Sequence, residues 1–193
     1  MLWRTVTSPP HFAINTMAAI PPWAMSLIES LSDEQQTLLI TTAGKAMMDP
    51  WFVPTATIPA AYVLAYVPHF VKVAVFTPLL MSKYNNVTPR YTNWDEQPIP
   101  KWASELIKRL ASAHENGLEA MVGFAPAVLM CRMNKVKDVA EVRRLCMRFL
   151  ALRFLFSVAY ALGEWKAVSV VRTLVWGAGF STTLQLYSLA VLG

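Results

Sequence analysis

The chain has 193 residues, of which 55% are hydrophobic and 15% charged, and its mean hydropathy is +0.38. Soluble domains carry about 25% charged residues, so the composition excludes an ordinary water-soluble domain and points to a membrane protein. The net charge of +5 is concentrated: six of the seventeen Lys and Arg lie between Arg132 and Arg148. That short basic loop suits the electronegative side of a membrane, and no aromatic-lined basic groove speaks for nucleic acid.

Residues 1–57 read as an N-terminal extension. Residues 1–28 hold one Arg and no acid, the composition of a targeting peptide, but Pro9, Pro10, Pro21 and Pro22 interrupt any secretory core. Ser32-Asp33-Glu34-Gln35 is a capping box. It predicts a surface helix through Thr37 to Ile40, stopped by Gly44 or by Asp49-Pro50 and lying on the membrane or on a partner.

Residues 58–193 hold four apolar stretches, each close to the 20 or so residues that cross a bilayer. The first is Ile58 to Met81, with Pro59, Pro68, Pro78, His69 and Lys72. A polar loop follows over residues 82–101. Its Asn86-Val87-Thr88 matches a glycosylation sequon, a pattern short enough to arise by chance. The second helix runs from Trp102 to Met133. Its first half is amphipathic (Glu105, Lys108, Arg109, His114, Glu115) and its second half, Gly117 to Cys131, is apolar. The third spans Val142 to Gly163 and carries Arg148, Arg153 and Tyr160. The fourth spans Ala167 to Leu192, with Arg172, Thr173, Trp176 and Gln185. Its Gly177 and Gly179 suit close helix approach. The expected fold is an all-α membrane protein, a four-transmembrane-helix bundle with an N-terminal extension. Cys131 and Cys146 form no Cys-x-x-Cys and read as small core residues. His11, His69 and His114 lack metal-ligand spacing, so no metal is expected.

Ionisable residues inside a membrane are functional candidates by default. Asn116 and Glu119 share a helix face with Ser112, and Arg109 extends that stripe by a turn. Arg153, Ser157 and Tyr160 lie on one face of the third helix. Arg172 and Trp176 lie on one face of the fourth, beside Thr173. One reading is an interhelical ion-pair network, with Glu119 paired to Arg153 or Arg172. The other is a pocket for a small polyanion, held by guanidinium forks. Such a pocket would also draw the pKa of a bound thiol below about 8.5.

These motifs resemble those of the MAPEG family, the membrane-associated proteins of eicosanoid and glutathione metabolism, over roughly residues 58–192. Ala113-His114-Glu115-Asn116-Gly117-Leu118-Glu119 is similar to the family's Ala-x-x-Asn-x-x-Glu. Arg153 to Tyr160 is similar to its Arg-x6-Tyr. Arg172-Thr173 with Trp176 is similar to its Arg-Ser-x-x-aromatic. Tyr66-Val67-Pro68-His69-Phe70 and Thr88-Pro89-Arg90 resemble a fungal and bacterial branch.

The resemblance implies a four-helix bundle, a homotrimer, and glutathione bound between neighbouring subunits. Asn116, Glu119, Arg153 and Tyr160, with Arg109 as a substitute for a missing arginine, would bind glutathione. Arg172 and Thr173 would act on its thiolate. The activity implied is a glutathione-dependent transferase or peroxidase acting on lipophilic electrophiles. The chain departs from the family in three places: Ser112 stands where an arginine is usual, Glu115 is acidic, and the Tyr160–Arg172 spacing is about three residues longer. With the extra N-terminal residues, these departures support an alternative. That alternative is a non-catalytic accessory or structural subunit of a larger membrane complex, for example mitochondrial. The endoplasmic reticulum and an organelle membrane both remain open as the location.

Overall fold

The computed structural model describes residues 21–80, 92–163 and 165–193, and among them it has six helices and no strand. They are α1 (Pro22–Glu29), α2 (Asp33–Met48), α3 (Phe52–Leu80), α4 (Lys101–Met133), α5 (Val139–Leu162) and α6 (Lys166–Leu192). His11, the Asn86 sequon and Thr88-Pro89-Arg90 lie outside the described residues. The chain divides into two compact units, Met1–Phe52 and Val53–Gly193.

In the first unit, α1 starts on Pro22, where the sequence suggested only interruption. Proline is tolerated in a first turn because its missing N–H would lack an intrahelical partner there anyway. The predicted capping box opens α2: the Ser32 hydroxyl accepts from Gln35 N at 3.3 Å, and Ser32 N donates to Gln35 Oε1 at 3.0 Å. Of the two predicted stops, Asp49-Pro50 ends the helix. Asp49 takes an extended conformation, as a residue before proline prefers. Gly44 is absorbed into α2, and a Cβ there would meet nothing within 4 Å.

In the second unit, α4, α5 and α6 pack on one another. Phe124 of α4 and Phe149 of α5 stack in parallel with centroids 3.8 Å apart, both fully buried. Along the α4–α6 seam, Cys131 Sγ donates to the Leu186 carbonyl at 3.2 Å, Asn134 Nδ2 to the Ala190 carbonyl at 2.7 Å, and the Tyr187 hydroxyl to the Gly123 carbonyl at 3.0 Å. Both cysteines are free and buried. Helix α3 docks on α4 at two levels. Phe76 joins Ala103, Ile107 and Leu110 in a buried cluster, and nearer the middle Ala65 meets Gly117.

This unit has an apolar core with a few buried polar groups and, unlike a water-soluble protein, many large apolar side chains on its outer surface. Arg153, Thr57, Ser104, Thr182 and Thr183 are buried. Outward positions carry Val63, Val67 and Phe70 on α3, Phe154 and Leu155 on α5, and Leu174, Phe180 and Leu184 on α6. Large apolar surface of this kind marks a lipid or protein contact. By length and composition, α5 is the one described helix that passes as a membrane span. Prolines in α3, charges in the first half of α4, and the Ser, Thr and Gly of α6 lower their hydropathy.

Asp95 staples the segment before α4 to that helix. Its carboxylate accepts from Lys108 Nζ at 2.5 Å and from the Ser104 hydroxyl at 3.1 Å. The hydrogen bond from Lys108, then that from Ser104, favours the charged form and holds the Asp95 pKa below its ordinary value. Stability from this staple is therefore fully present above the ordinary aspartate pKa, and is lost as pH falls through the lower folded value. In an NMR pH titration, Asp95 is expected to titrate below the ordinary aspartate range and to move back toward it in Lys108→Ala, which leaves the Ser104 hydrogen bond. An unshifted midpoint in the parent protein counts against the staple.

Candidate functional site

The α4 motif delivers its residues in different directions. Asn116 is half-buried, whereas Glu115 and Glu119 are exposed. The Asn116 side-chain Nδ2 donates back to the Ser112 carbonyl at 3.1 Å, one turn earlier on its own helix. Its main-chain carbonyl accepts from Arg153 Nη2 at 2.7 Å. Arg153 is only 7% exposed, although it is fully charged chemistry in an apolar setting. Beyond this charge-assisted bond it lies against aromatic faces, with Cζ 4.7 Å from the Phe156 centroid and 5.9 Å from Phe149. Room for it comes from α6: a Cβ built on Gly179 would sit 3.9 Å from Arg153 Nη1.

The second arginine joins through the same aromatics. Phe156 and Tyr160 make an edge contact at 4.9 Å, and Arg172 Cζ sits 4.3 Å over the Tyr160 ring. A continuous ladder thus runs Asn116–Arg153–Phe156–Tyr160–Arg172 across α4, α5 and α6. Arg109 reaches the same end of α5, where its Cδ lies 3.7 Å from the position of a Cβ on Gly163. Of the predicted residues, the fold therefore gathers Asn116, Arg153, Tyr160 and Arg172, with Arg109 beside them. Thr173 is exposed, and its hydroxyl donates to the Ser169 carbonyl at 3.1 Å, along its own helix. Trp176 stacks on Phe180 with centroids 5.7 Å apart.

Three contributors escaped sequence reasoning. Phe156 is the rung between the two arginines, and its i, i+4 spacing to Tyr160 is the one signal the sequence holds for it. His114 turns Nδ1 to the Ala65 carbonyl at 2.9 Å. Because that carbonyl can only accept, Nδ1 carries the proton. Gly117 lets α3 approach: a Cβ there would lie 2.8 Å from Ala65 Cβ and 3.0 Å from Ala65 Cα. The close approach had been expected at Gly177 and Gly179. A Cβ on Gly177 meets nothing within 4 Å, because that glycine faces outward, whereas Gly179 makes room for Arg153.

Beside Arg153, between Ala65, Gly117, Phe149 and Ser157, lies an internal crevice of about 10 Å³. That is room for about one water. Any larger ligand must meet the ladder from its outward side, where Glu119, Tyr160 and Arg172 are accessible at least in part.

The family model described as MAPEG family matches residues 55–192, most of the second unit. Among curated proteins and among solved structures, nothing matches the chain.

Proposed function

Because the chain belongs to the MAPEG family, a family of membrane proteins, we propose that it is a glutathione-dependent transferase of lipophilic electrophiles, built as four membrane-crossing helices. The observation that carries this reading is the ladder itself. It sets the guanidinium groups of Arg153 and Arg172 at one end of the α5–α6 pair, linked by Phe156 and Tyr160. The partly accessible cations at that end, Arg172 and Arg109, suit a ligand that carries carboxylates and a thiolate, while the buried Arg153 holds the α4 turn.

In this reading Glu119 faces the ammonium of glutathione, and Arg153 fixes the Asn116 turn against which the peptide lies. Arg109 and Tyr160 meet its carboxylates. Arg172 stabilises the thiolate, with Thr173 alongside. The thiol proton leaves to water. The thiolate sulfur then forms a bond to the electrophilic carbon, and the leaving group departs with the electron pair of the broken bond, so charge and electrons balance. A pocket for a drug-sized ligand is typically about 300–1,000 Å³. The 10 Å³ crevice inside one chain therefore favours binding on the outer face, completed by a second subunit of a homotrimer.

The test is conjugation of 1-chloro-2,4-dinitrobenzene with glutathione by the full chain in detergent, alongside equilibrium binding of glutathione. Saturable binding with chloride release above background supports the reading. Absence of both ends it.

The second reading is an accessory subunit of a larger membrane assembly. It is favoured by Ser112 and Glu115 in the motif and by the separate N-terminal unit. Co-migration with a large complex in mild detergent, without glutathione binding, would select it.

A further inference from the structure

An open apolar groove of about 710 Å³ runs between α3 and α5. Pro59, Val63 and Val67 form one wall, and Met147, Ala151 and Phe154 the other. Along α5 the spacing 147, 151, 154 is one helix face. The next residue on that face toward the start of α5 is Arg143, four before Met147, and it is exposed. Across the same end, Arg132 Nη1 donates to the Thr55 hydroxyl at 3.0 Å, and Thr55 is four residues before Pro59 on the α3 wall. The groove is thus apolar along its length and cationic at one mouth. Lys135, Lys137 and Arg144 lie in or beside the same turn and, with Arg132 and Arg143, outnumber its acids Asp138 and Glu141, the latter engaging Arg144 at 2.5 Å. The mouth lies ten residues from Arg153 along α5, about 15 Å, so it is separate from the arginine ladder.

We infer that this groove is a binding site for an anionic phospholipid, with an acyl chain along the α3–α5 groove and the headgroup phosphate at Arg143. The charge pattern selects this occupant. An apolar channel alone would take any hydrocarbon, but a cationic end at the helix start matches a chain that ends in a phosphate. Basic residues at a membrane surface each favour anionic lipid by about fivefold in binding. The inference does not depend on glutathione chemistry.

Native mass spectrometry of the full chain in a non-ionic detergent tests it, with dioleoyl phosphatidylglycerol or dioleoyl phosphatidylcholine added. One phosphatidylglycerol is expected to be retained per chain, about fivefold or more in preference to phosphatidylcholine. Arg143→Gln is expected to bring phosphatidylglycerol down to the phosphatidylcholine level, and Arg143→Lys to keep the preference. Ala151→Phe, which fills the groove, is expected to remove both lipids while helicity by circular dichroism is kept. Equal retention of the two lipids, an unaffected Arg143→Gln, or displacement of the lipid by inorganic phosphate alone would overturn the inference. So would an Ala151→Phe variant that breaks an oligomer yet keeps its lipid, since the groove would then be a subunit interface.

Discussion

Arg172→Ala is expected to lower kcat for glutathione conjugation about a hundred- to a thousandfold, with a much smaller rise in KM for glutathione. Removing one preorganised group that faces developing or localised negative charge typically costs that much. Arg172 is prepared for this role by its neighbour, because the Tyr160 face holds the guanidinium 4.3 Å away and limits its rotamers. The phenol and the ring can be separated. Tyr160→Phe keeps the aromatic face and is expected to change kcat by less than about threefold, within the small end of a cation–π contribution. Tyr160→Leu removes the face and is expected to cost about tenfold. If Tyr160→Phe is as damaging as Tyr160→Leu, the hydroxyl rather than the ring carries the effect, and the ladder is misread. Arg172→Lys keeps the charge without the planar fork and falls between parent and alanine.

Gly117→Val is expected to destabilise the second unit by about 1–3 kcal/mol or more, the range for overpacking a tight interior. The obstacle is specific: the new Cβ would lie 2.8 Å from Ala65 Cβ and 3.0 Å from its backbone Cα, and backbone cannot swing aside as a long side chain can. Helix α3 would have to move. That would stretch the His114 Nδ1 bond to the Ala65 carbonyl and tilt the turn whose Asn116 carbonyl receives Arg153. Gly117→Val is therefore expected to lower glutathione affinity as well as the thermal midpoint. Ala65→Gly, combined with it, removes the nearer of the two contacts and is expected to restore part of the loss. A coupling of about 0.5–3 kcal/mol between the two substitutions is the usual scale for touching residues. Additive behaviour in the double mutant would show that the two helices do not meet there. Gly177→Ala, facing open space, is the matched control and is expected to change little.

Local chemistry made part of this molecule legible in its residues. The Ser32–Gln35 box and the Asp49-Pro50 stop are short-range devices, and both ends of α2 follow them. The apolar stretches after residue 58 became helices α3 to α6, with starts shifted by up to six residues where Pro54 and Glu141 sit in first turns. Helix α1 is not announced by the sequence pattern: Pro21 and Pro22 interrupt the apolar run, yet Pro22 falls in a first turn, where proline fits a helix. The motif spacings were also sufficient for the family, since order and period survive without any knowledge of packing. They placed Arg153 with Tyr160 on a common face, whereas Asn116 is half-buried and Glu119 is exposed.

What periodicity cannot state is which face of one helix meets which face of another. Arg153 pairs with a main-chain carbonyl on α4, not with the Glu119 carboxylate, because burial turns the arginine inward while Glu119 remains on the outer surface. The close-approach glycine is Gly117, because there α3 packs against α4 through Ala65. Phe156 became a rung because α5 and α6 set two arginines on either side of an aromatic pair. Each of these is a contact between residues far apart in the chain, decided by packing that must satisfy every buried polar group at once. The sequence by itself therefore determined the membrane class, helices α2 to α6 and the family. Tertiary structure alone decided which of the candidate residues stand together.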